Sequence, residues 1–123
     1  LSAAVRHILD LSFKAFETCD ITVAAEVEPL EQVIDTLKEQ MRTRHILRMQ
    51  HGNCSIEAGF VWSDLLTNLE RTSDHCSNIA GCVLDAAQHN LNLHETIRAT
   101  RANLDTFPVK FESYAREYCL PEA

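Results

Sequence analysis

Four acidic residues occur as two pairs with the same spacing. Glu31 is followed four positions later by Asp35, and Glu70 is followed four positions later by Asp74. On an α-helix this step places both carboxylates on one face, one turn apart, where two like charges cost about 0.2–0.5 kcal/mol. A bound cation would offset that repulsion, and a set of oxygen ligands suits hard or borderline metal ions. A metal site is therefore one candidate chemistry for these residues.

The two pairs also lie at matching distances from a candidate turn near Asn53. Asp35 and Glu70 are nearly equidistant from that turn along the sequence, and so are Glu31 and Asp74. In an antiparallel helical hairpin, residues equidistant from the turn lie at the same height. Each pair flanks its apolar stripe in the same sense, so the pairs turn either toward each other or away from each other. In the first case four carboxylates converge on the flank of the hairpin.

The same acids have a simpler interpretation as solvated residues at the edge of the core. Lys38 and Arg42 lie on the helix face that carries Glu31 and Asp35, so ion pairs along the helix could satisfy these carboxylates. If the helix begins at Pro29, Glu31 would also be stabilised by the positive end of the helix dipole. Spacing alone leaves metal ligation and solvated ion pairs both open.

The elements that must position these acids are helices. Apolar residues recur at intervals of three and four for most of the chain, and this periodicity predicts an all-α fold. A first helix is predicted from about Ala3 to Thr18. A second is predicted from near Asp20, a plausible N-cap, to residues 51–53, and it either kinks at Pro29 or begins there. The residues predicted to face the core on these two helices are Val5, Ile8, Leu9, Phe13, Phe16, Cys19, Val27, Leu30, Ile34, Leu37, Met41 and Leu47.

A third helix is predicted to return antiparallel to the second, because the link over residues 52–55 is short. Its core stripe carries the small residues Ser73, Cys76 and Ala80, which would let a neighbouring backbone approach closely. Residues 1–92 are therefore predicted to form an antiparallel three-helix bundle and a single domain.

The remaining residues, 93–123, are predicted to form a C-terminal helical tail that is broken around Pro108. Two helical stretches are expected, from Glu95 to Phe107 and from Val109 to Tyr118. The aromatic residues of the tail could pack on the bundle or on a partner, and they are Phe107, Phe111, Tyr114 and Tyr118.

Composition excludes several classes of function. The net charge of −7 disfavours nucleic acid as a partner, because the phosphate backbone would be repelled. No window approaches the roughly 20 apolar residues of a membrane span. The five cysteines include no Cys-x-x-Cys motif, so free thiols in a reducing compartment are expected. The sequence has no Glu-x-x-His, which disfavours a ferritin-like di-iron oxidase, and it has no Gly-rich phosphate loop and no nucleophile motif.

Beyond these patterns, one stretch of sequence resembles a known family. Residues 69–80, which read LERTSDHCSNIA, are similar to the signature of PhoU-type phosphate-regulatory domains. Residues 52–59, GNCSIEAG, together with Glu31-x-x-x-Asp35 upstream, resemble the version of this domain fused behind the membrane part of bacterial sodium/phosphate cotransporters. The resemblance covers about residues 3–90. It implies a three-helix bundle and a regulatory domain of phosphate homeostasis that is not an enzyme.

The resemblance also implies a ligand set. Family members hold iron or zinc, in clusters of more than one ion, on paired acidic motifs at the bundle surface. Carried over residue by residue, the metal ligands would be Glu31, Asp35, Glu70 and Asp74. Three further residues match the signature and would support these ligands or contact a partner; they are Arg71, His75 and Asn78.

The implied partner is a membrane transporter of phosphate, covalently joined upstream of Leu1. That arrangement would tether the domain to the cytoplasmic face of the inner membrane. Phosphate itself could bind through a metal ion, because an acidic bundle needs a cation to bridge it to an anion. Two alternatives stay open: a metal-free helical module that forms a homodimer, and a hydrolase that uses metal-activated water.

Overall fold

Helices make up nearly all of the protein that this computed structural model describes, namely residues 1–90 and 107–121. The elements are α1 (Ser2–Thr18), α2 (Ile21–Gln50) and α3 (Ile56–Asn90), followed by α4 over residues 107–117. These four helices pack as a bundle, and the all-α prediction is confirmed. The predicted domain boundary at residue 92 and most of the predicted helix from Glu95 to Phe107 lie outside the described residues.

Helix α2 begins at the earlier of its two predicted start sites. The Asp20 carboxylate accepts hydrogen bonds from the backbone N–H groups of Thr22 at 2.9 Å and Val23 at 3.4 Å, so it satisfies two donors that the first turn leaves unpaired. Pro29 lies inside the helix, buried in the core. The alternative in which the helix begins at Pro29 is therefore wrong, and Glu31 lies well beyond the first turn of α2.

The link between α2 and α3 is set by one glycine. Gly52 has a φ of 72°, a left-handed conformation that ends helices at little cost only for glycine. The N–H of Gly52 donates to the carbonyl of Met49 at 3.1 Å, and the N–H of Asn53 donates to that of Arg48 at 2.9 Å. The Ser55 hydroxyl then accepts from the backbone of α3 and caps its first turn. This turn fixes the antiparallel register of α2 and α3.

The core lies along one stripe of each of the first three helices. Val27, Leu30, Ile34 and Leu37 of α2 are buried as predicted. The predicted small-residue stripe of α3 is also buried, at Ser73, Cys76 and Ala80. Burying each of the four larger side chains of α2 contributes about 1.5–3 kcal/mol, so these stripes hold α2 and α3 together.

Several core predictions were wrong. Val5 and Ile8 are buried as predicted, but Phe13 and Phe16 are 56% and 67% exposed, because the buried face of α1 also takes in Ala4 and Ala15. The small side chains at two of these positions let α1 approach the bundle closely, whereas the two phenylalanines lie on its flank. The other predicted core residues found exposed are Cys19 and Leu47.

Helix α4 packs its aromatic face on the bundle. Tyr114 is 6% exposed and belongs to the hydrophobic core. Its hydroxyl donates to Glu26 of α2 at 3.4 Å, and Lys110 forms an ion pair with the same carboxylate at 3.0 Å. The Tyr118 hydroxyl is hydrogen-bonded to Nδ1 of His7 on α1 at 2.5 Å. Burial, reinforced by the nearby Glu26 charge, raises the pKa of Tyr114 well above its ordinary value.

Two further findings concern the cysteines and the membrane-spanning character of the helices. The five cysteines are all free thiols. Within residues 1–90 and 107–121, no helix combines the length and apolar character that crossing a bilayer requires.

Candidate functional site

The four predicted site residues lie along the seam between α2 and α3. Glu31 and Asp35 belong to α2, while Glu70 and Asp74 belong to α3, and the antiparallel hairpin brings the two pairs to the same height. Glu31 and Glu70 are half-buried, whereas Asp35 and Asp74 are exposed. The structure thus turns the two pairs toward each other, and each acid of α2 has an acid of α3 beside it.

One half of this seam already contains a cation. Nζ of Lys38 lies 2.5 Å from Oε1 of Glu70 on α3 and 3.1 Å from Oδ1 of Asp35 on its own helix. A third carboxylate, that of Glu39, lies 3.3 Å away. The Lys38 side chain is only 7% exposed, so its ammonium group is held by carboxylates and not by water. Burial lowers the pKa of Lys38, but the hydrogen bonds to these carboxylates outweigh it and raise the net value above the ordinary one.

The other half of the seam is crowded with negative charge. The pKa of Glu31 is raised to about 7, first by burial and then by the charges of Glu28, Asp74 and Asp35. A hydrogen bond between the side chains of Glu31 and Asp74 adds to the rise in the pKa of Glu31. Among the described residues, neither Glu31 nor Asp74 forms an ion pair with a basic side chain. A positive charge placed here would relieve the repulsion.

Within the described part of the chain, no three His, Cys, Asp or Glu side chains are arranged to hold a metal ion. The donor set has the right chemistry for a hard or borderline cation, since it consists of carboxylate oxygens. The four acids, however, form two separate pairs. Glu31 and Asp74 form one, and Asp35 and Glu70, with the ammonium group of Lys38 between them, form the other. The residues fit a metal ion by type at the first half, whereas an ammonium group takes the central position of the second.

Sequence reasoning missed two members of the seam. Lys38 was considered only as a surface ion pair along α2, yet it is buried and reaches across to Glu70. Glu28 lies one turn before Glu31 and receives a hydrogen bond from the Ser77 hydroxyl at 3.0 Å. Glu28 and Glu31 are three residues apart on α2, and this spacing could have predicted that Glu28 lies on the same face as the other acids. Arg42, offered as a partner for the acids, pairs instead with Glu39 at 3.3 Å.

The three additional signature residues are all exposed on α3. His75 and Asn78 line a groove of about 430 Å³ with Phe16 of α1, so they are available to the surroundings on that side of the bundle. Arg71 forms no ion pair with another residue in the described ranges. Their role as support for the ligands, or as partner contacts, stays a prediction.

A second surface feature is an open apolar groove of about 430 Å³ at the junction of α1, α2 and α3. Phe16, Cys19 and Ile21 line one side, and residues of α3 including Cys82 and Val83 line the other. It lies near the α1–α2 connection and contains none of the four acids. It is therefore a separate feature from the acidic seam.

The sequence was also compared with known proteins. The family model of the PhoU domain matches residues 1–83. A protein of Thermotoga maritima named phosphate-specific transport system accessory protein PhoU homolog 1 is 29% identical over 91 residues, which are 74% of this chain and 39% of the relative. The chain thus spans about two fifths of the length of that relative. No solved structure gives a significant match.

Proposed function

This chain belongs to the PhoU family, and on that premise we propose that it is a regulatory domain that controls phosphate transport by contacting a transporter and catalyses no reaction. The observation that carries the proposal is the family match over residues 1–83, which takes in α1, α2 and most of α3. Support comes from the relative in Thermotoga maritima, which is named as an accessory protein of a phosphate-specific transport system. Membership of a regulatory family argues against the hydrolase alternative.

The proposal is tested by measuring phosphate uptake in cells that produce a phosphate transporter with and without this domain. A change in the uptake rate on removal of the domain, at equal transporter abundance, supports it. An unchanged rate at both low and high external phosphate would contradict it.

We further propose that the acidic seam is the regulatory metal site of the domain. Glu31 and Asp74 would hold an ion first, because their charges lack a basic partner among the described residues and the charge of Asp74 helps to raise the pKa of Glu31. Asp35 and Glu70 belong to the ligand set that the resemblance implies, but the ammonium group of Lys38 occupies the position between them. Iron or zinc is the expected metal, in one or more ions. It would supply positive charge that joins α2 to α3 and attracts a phosphate anion.

The metal proposal is tested by elemental analysis of the purified chain and of two substitutions, Asp35→Asn and Asp74→Asn. Both replacements remove a ligand charge while keeping the size of the side chain. Asp10→Asn on α1 is the matched control, because Asp10 is exposed and lies outside the seam. Loss of bound iron or zinc in Asp74→Asn, with retention in Asp10→Asn, supports the proposal. Equal metal content in all variants would contradict it.

Phosphate binding through the metal is the finer form of the same proposal. A chain with a net charge of −7 repels an anion unless a cation lies between them. We therefore expect inorganic phosphate to bind the metal-loaded chain and to be lost after chelation. Phosphate binding that chelation leaves unchanged would contradict this step.

For the location, we propose that the domain lies at the cytoplasmic face of the inner membrane, joined to the membrane part of a sodium-dependent phosphate transporter upstream of Leu1. The support is the resemblance of residues 52–59 and of the Glu31-x-x-x-Asp35 motif to cotransporter-fused domains. Reading the codons upstream of Leu1 tests the proposal directly. A stop codon, or a second bundle in place of membrane-spanning segments, would contradict it.

The second candidate function is a metal-free module that forms a homodimer. It is favoured by the exposed phenylalanines of α1, Phe13 and Phe16, and by the apolar groove that Phe16 lines. The aromatic face of α4 does not serve this purpose, since Tyr114 is buried in the core of its own chain. Light scattering of the purified chain and of Phe16→Ser distinguishes the candidates. A dimer that Phe16→Ser converts to a monomer, with no bound metal in either, would favour the second.

A further inference from the structure

The position of Lys38 is unusual for a lysine on a helix surface. Its Nζ is within 3.3 Å of three carboxylates, those of Glu70, Asp35 and Glu39, and its side chain is 7% exposed. The contact with Glu70 joins α2 to α3, whereas the other two are within α2. A buried ammonium group persists only when carboxylates compensate its lost hydration, and here they do.

The location of Nζ is also where a metal ion shared by Asp35 and Glu70 would have to lie. Such an ion binds carboxylate oxygens at about 2.0–2.6 Å, so it would occupy the space between these two side chains that Nζ fills. The two cations cannot share this space, because their bulk and their like charges exclude each other. The four acids of the seam are therefore not equivalent as ligands.

We propose that Lys38 is a built-in counter-cation that keeps metal ions out of the Asp35–Glu70 half of the seam and restricts the chain to the Glu31–Asp74 half. This inference rests on the proposed metal binding for its functional meaning, but it predicts an effect that does not require the unsubstituted chain to bind metal. Removing the ammonium group leaves Asp35 and Glu70 facing each other without a cation. A divalent ion is then the most favourable way to compensate their charges.

The experiment compares the chain with Lys38→Met, which keeps an unbranched stem but lacks the charge, and with Lys38→Arg, which keeps the charge. Each protein is stripped with a chelator, dialysed and titrated with Zn²⁺ in a calorimeter, and bound zinc is then measured by elemental analysis. We expect Lys38→Met to bind about one further equivalent of Zn²⁺, or to bind about tenfold more tightly, while Lys38→Arg behaves like the unsubstituted chain. Lys14→Met on α1, an exposed position, controls for loss of one positive charge from the whole chain.

A second variant locates the added ion. Combining Lys38→Met with Glu70→Gln removes one of the two carboxylates and should abolish the extra binding. Circular dichroism checks that each protein is folded. If Lys38→Met does not fold, Lys38→Gln serves in its place, because its amide can still donate to Glu70 or Asp35.

The outcomes separate this inference from the proposed function. Zinc binding by Lys38→Met but not by the unsubstituted chain would support the counter-cation and contradict a resident metal. Equal binding by both would overturn the counter-cation and leave the resident metal intact. Absence of binding by both would overturn the two together, and extra binding that survives Glu70→Gln would overturn the location given to the added ion.

Discussion

Glu31 of α2 and Asp74 of α3 face each other across the helix seam and share a hydrogen bond between their carboxyl groups. Asp35 and Glu70, which repeat the same pairing along the seam, are instead joined through the ammonium group of Lys38. Two acid pairs with the same spacing in sequence thus have opposite electrostatic surroundings. One pair is compensated within the protein, and the other is not.

The uncompensated pair predicts a dependence of stability on pH. The pKa of Glu31 is about 7 in the folded chain, against its ordinary 4.5, so folding favours the protonated form. The stabilisation from this proton is fully present below pH 4.5 and is lost as the pH rises to about 7. We expect Glu31→Gln, which keeps a neutral side chain at every pH, to unfold with less dependence on pH across this window.

The measurement is urea unfolding of the chain and of Glu31→Gln in the presence of a chelator, at several pH values across that window. Asp10→Asn on α1 is the control, and it should follow the unsubstituted chain. A constant difference in unfolding free energy between the chain and Glu31→Gln would show that Glu31 titrates at its ordinary pKa.

The helices and the matching heights of the acid pairs could be predicted from the sequence, because both follow from local spacing. Asp20 and Gly52 are residues whose side chain or backbone freedom decides where a helix begins or ends, so the end of α2 could be predicted and Asp20 was one of the two starts considered. The equal distances of the acids from the Gly52 turn placed both pairs at one height. The reach of Lys38 to Glu70 could not be predicted, since it depends on how each helix rotates about its own axis when the two pack.

The same limit explains the error on α1. Phe13 and Phe16 fall on an apolar stripe at helical spacing, but Ala4 and Ala15 fall on an adjacent one that shares Ile8 with it. Hydrophobicity favours the stripe with the phenylalanines, whereas close approach of two helices favours the small residues. The face of α1 that is buried depends on how the helices pack, and the hydrophobicity of single residues does not determine it.

Glu70 and Asp35 both form ion pairs with Lys38, but removing them should change the unfolding free energy by unequal amounts. Glu70→Ala leaves a buried ammonium group without its interhelical partner, so we expect a loss of about 1–3 kcal/mol in unfolding free energy. Asp35→Ala should cost well under about 1 kcal/mol, because the Asp35 side chain is 56% exposed and that of Glu70 only 29%. Urea unfolding at neutral pH measures both, and a larger effect for Asp35→Ala would contradict the assignment.

The core of α2 predicts a contrast between two leucines on one helix. Leu30 has no exposed surface, and Leu30→Ala should lower the unfolding free energy by about 2–5 kcal/mol, since it removes packed methyl groups and leaves a cavity. Leu47 is 48% exposed, and Leu47→Ala should cost less than about 1 kcal/mol. Thermal unfolding followed by circular dichroism gives the comparison. Equal costs would mean that Leu47 is covered in solution.

The attachment of α4 predicts a graded effect at Tyr114. Tyr114→Phe removes the hydroxyl that donates to Glu26 and should cost about 0.5–1.5 kcal/mol, whereas Tyr114→Ala also empties the core position and should cost about 3–5 kcal/mol. Hydrogen exchange of the amides in residues 107–117 would rise in Tyr114→Ala if α4 leaves the bundle. Unchanged protection of α4 in that variant would contradict its docking through this side chain.

The glycines at the hairpin and within α3 predict effects of opposite sign. Gly52 has a φ of 72°, a conformation that costs residues with a Cβ atom about 1–2 kcal/mol, so Gly52→Ala should destabilise the chain by that amount. Gly81 lies within α3, and a Cβ atom added there would have no neighbour within 4 Å, so Gly81→Ala should stabilise the chain by about 0.5–1 kcal/mol. Both are measured by urea unfolding. Gly52 also sets the register in which the acid pairs of α2 and α3 meet. We therefore expect Gly52→Ala to weaken metal binding and Gly81→Ala to leave it unchanged. Equal metal affinity in the two variants would show that the acid pairs meet without this turn.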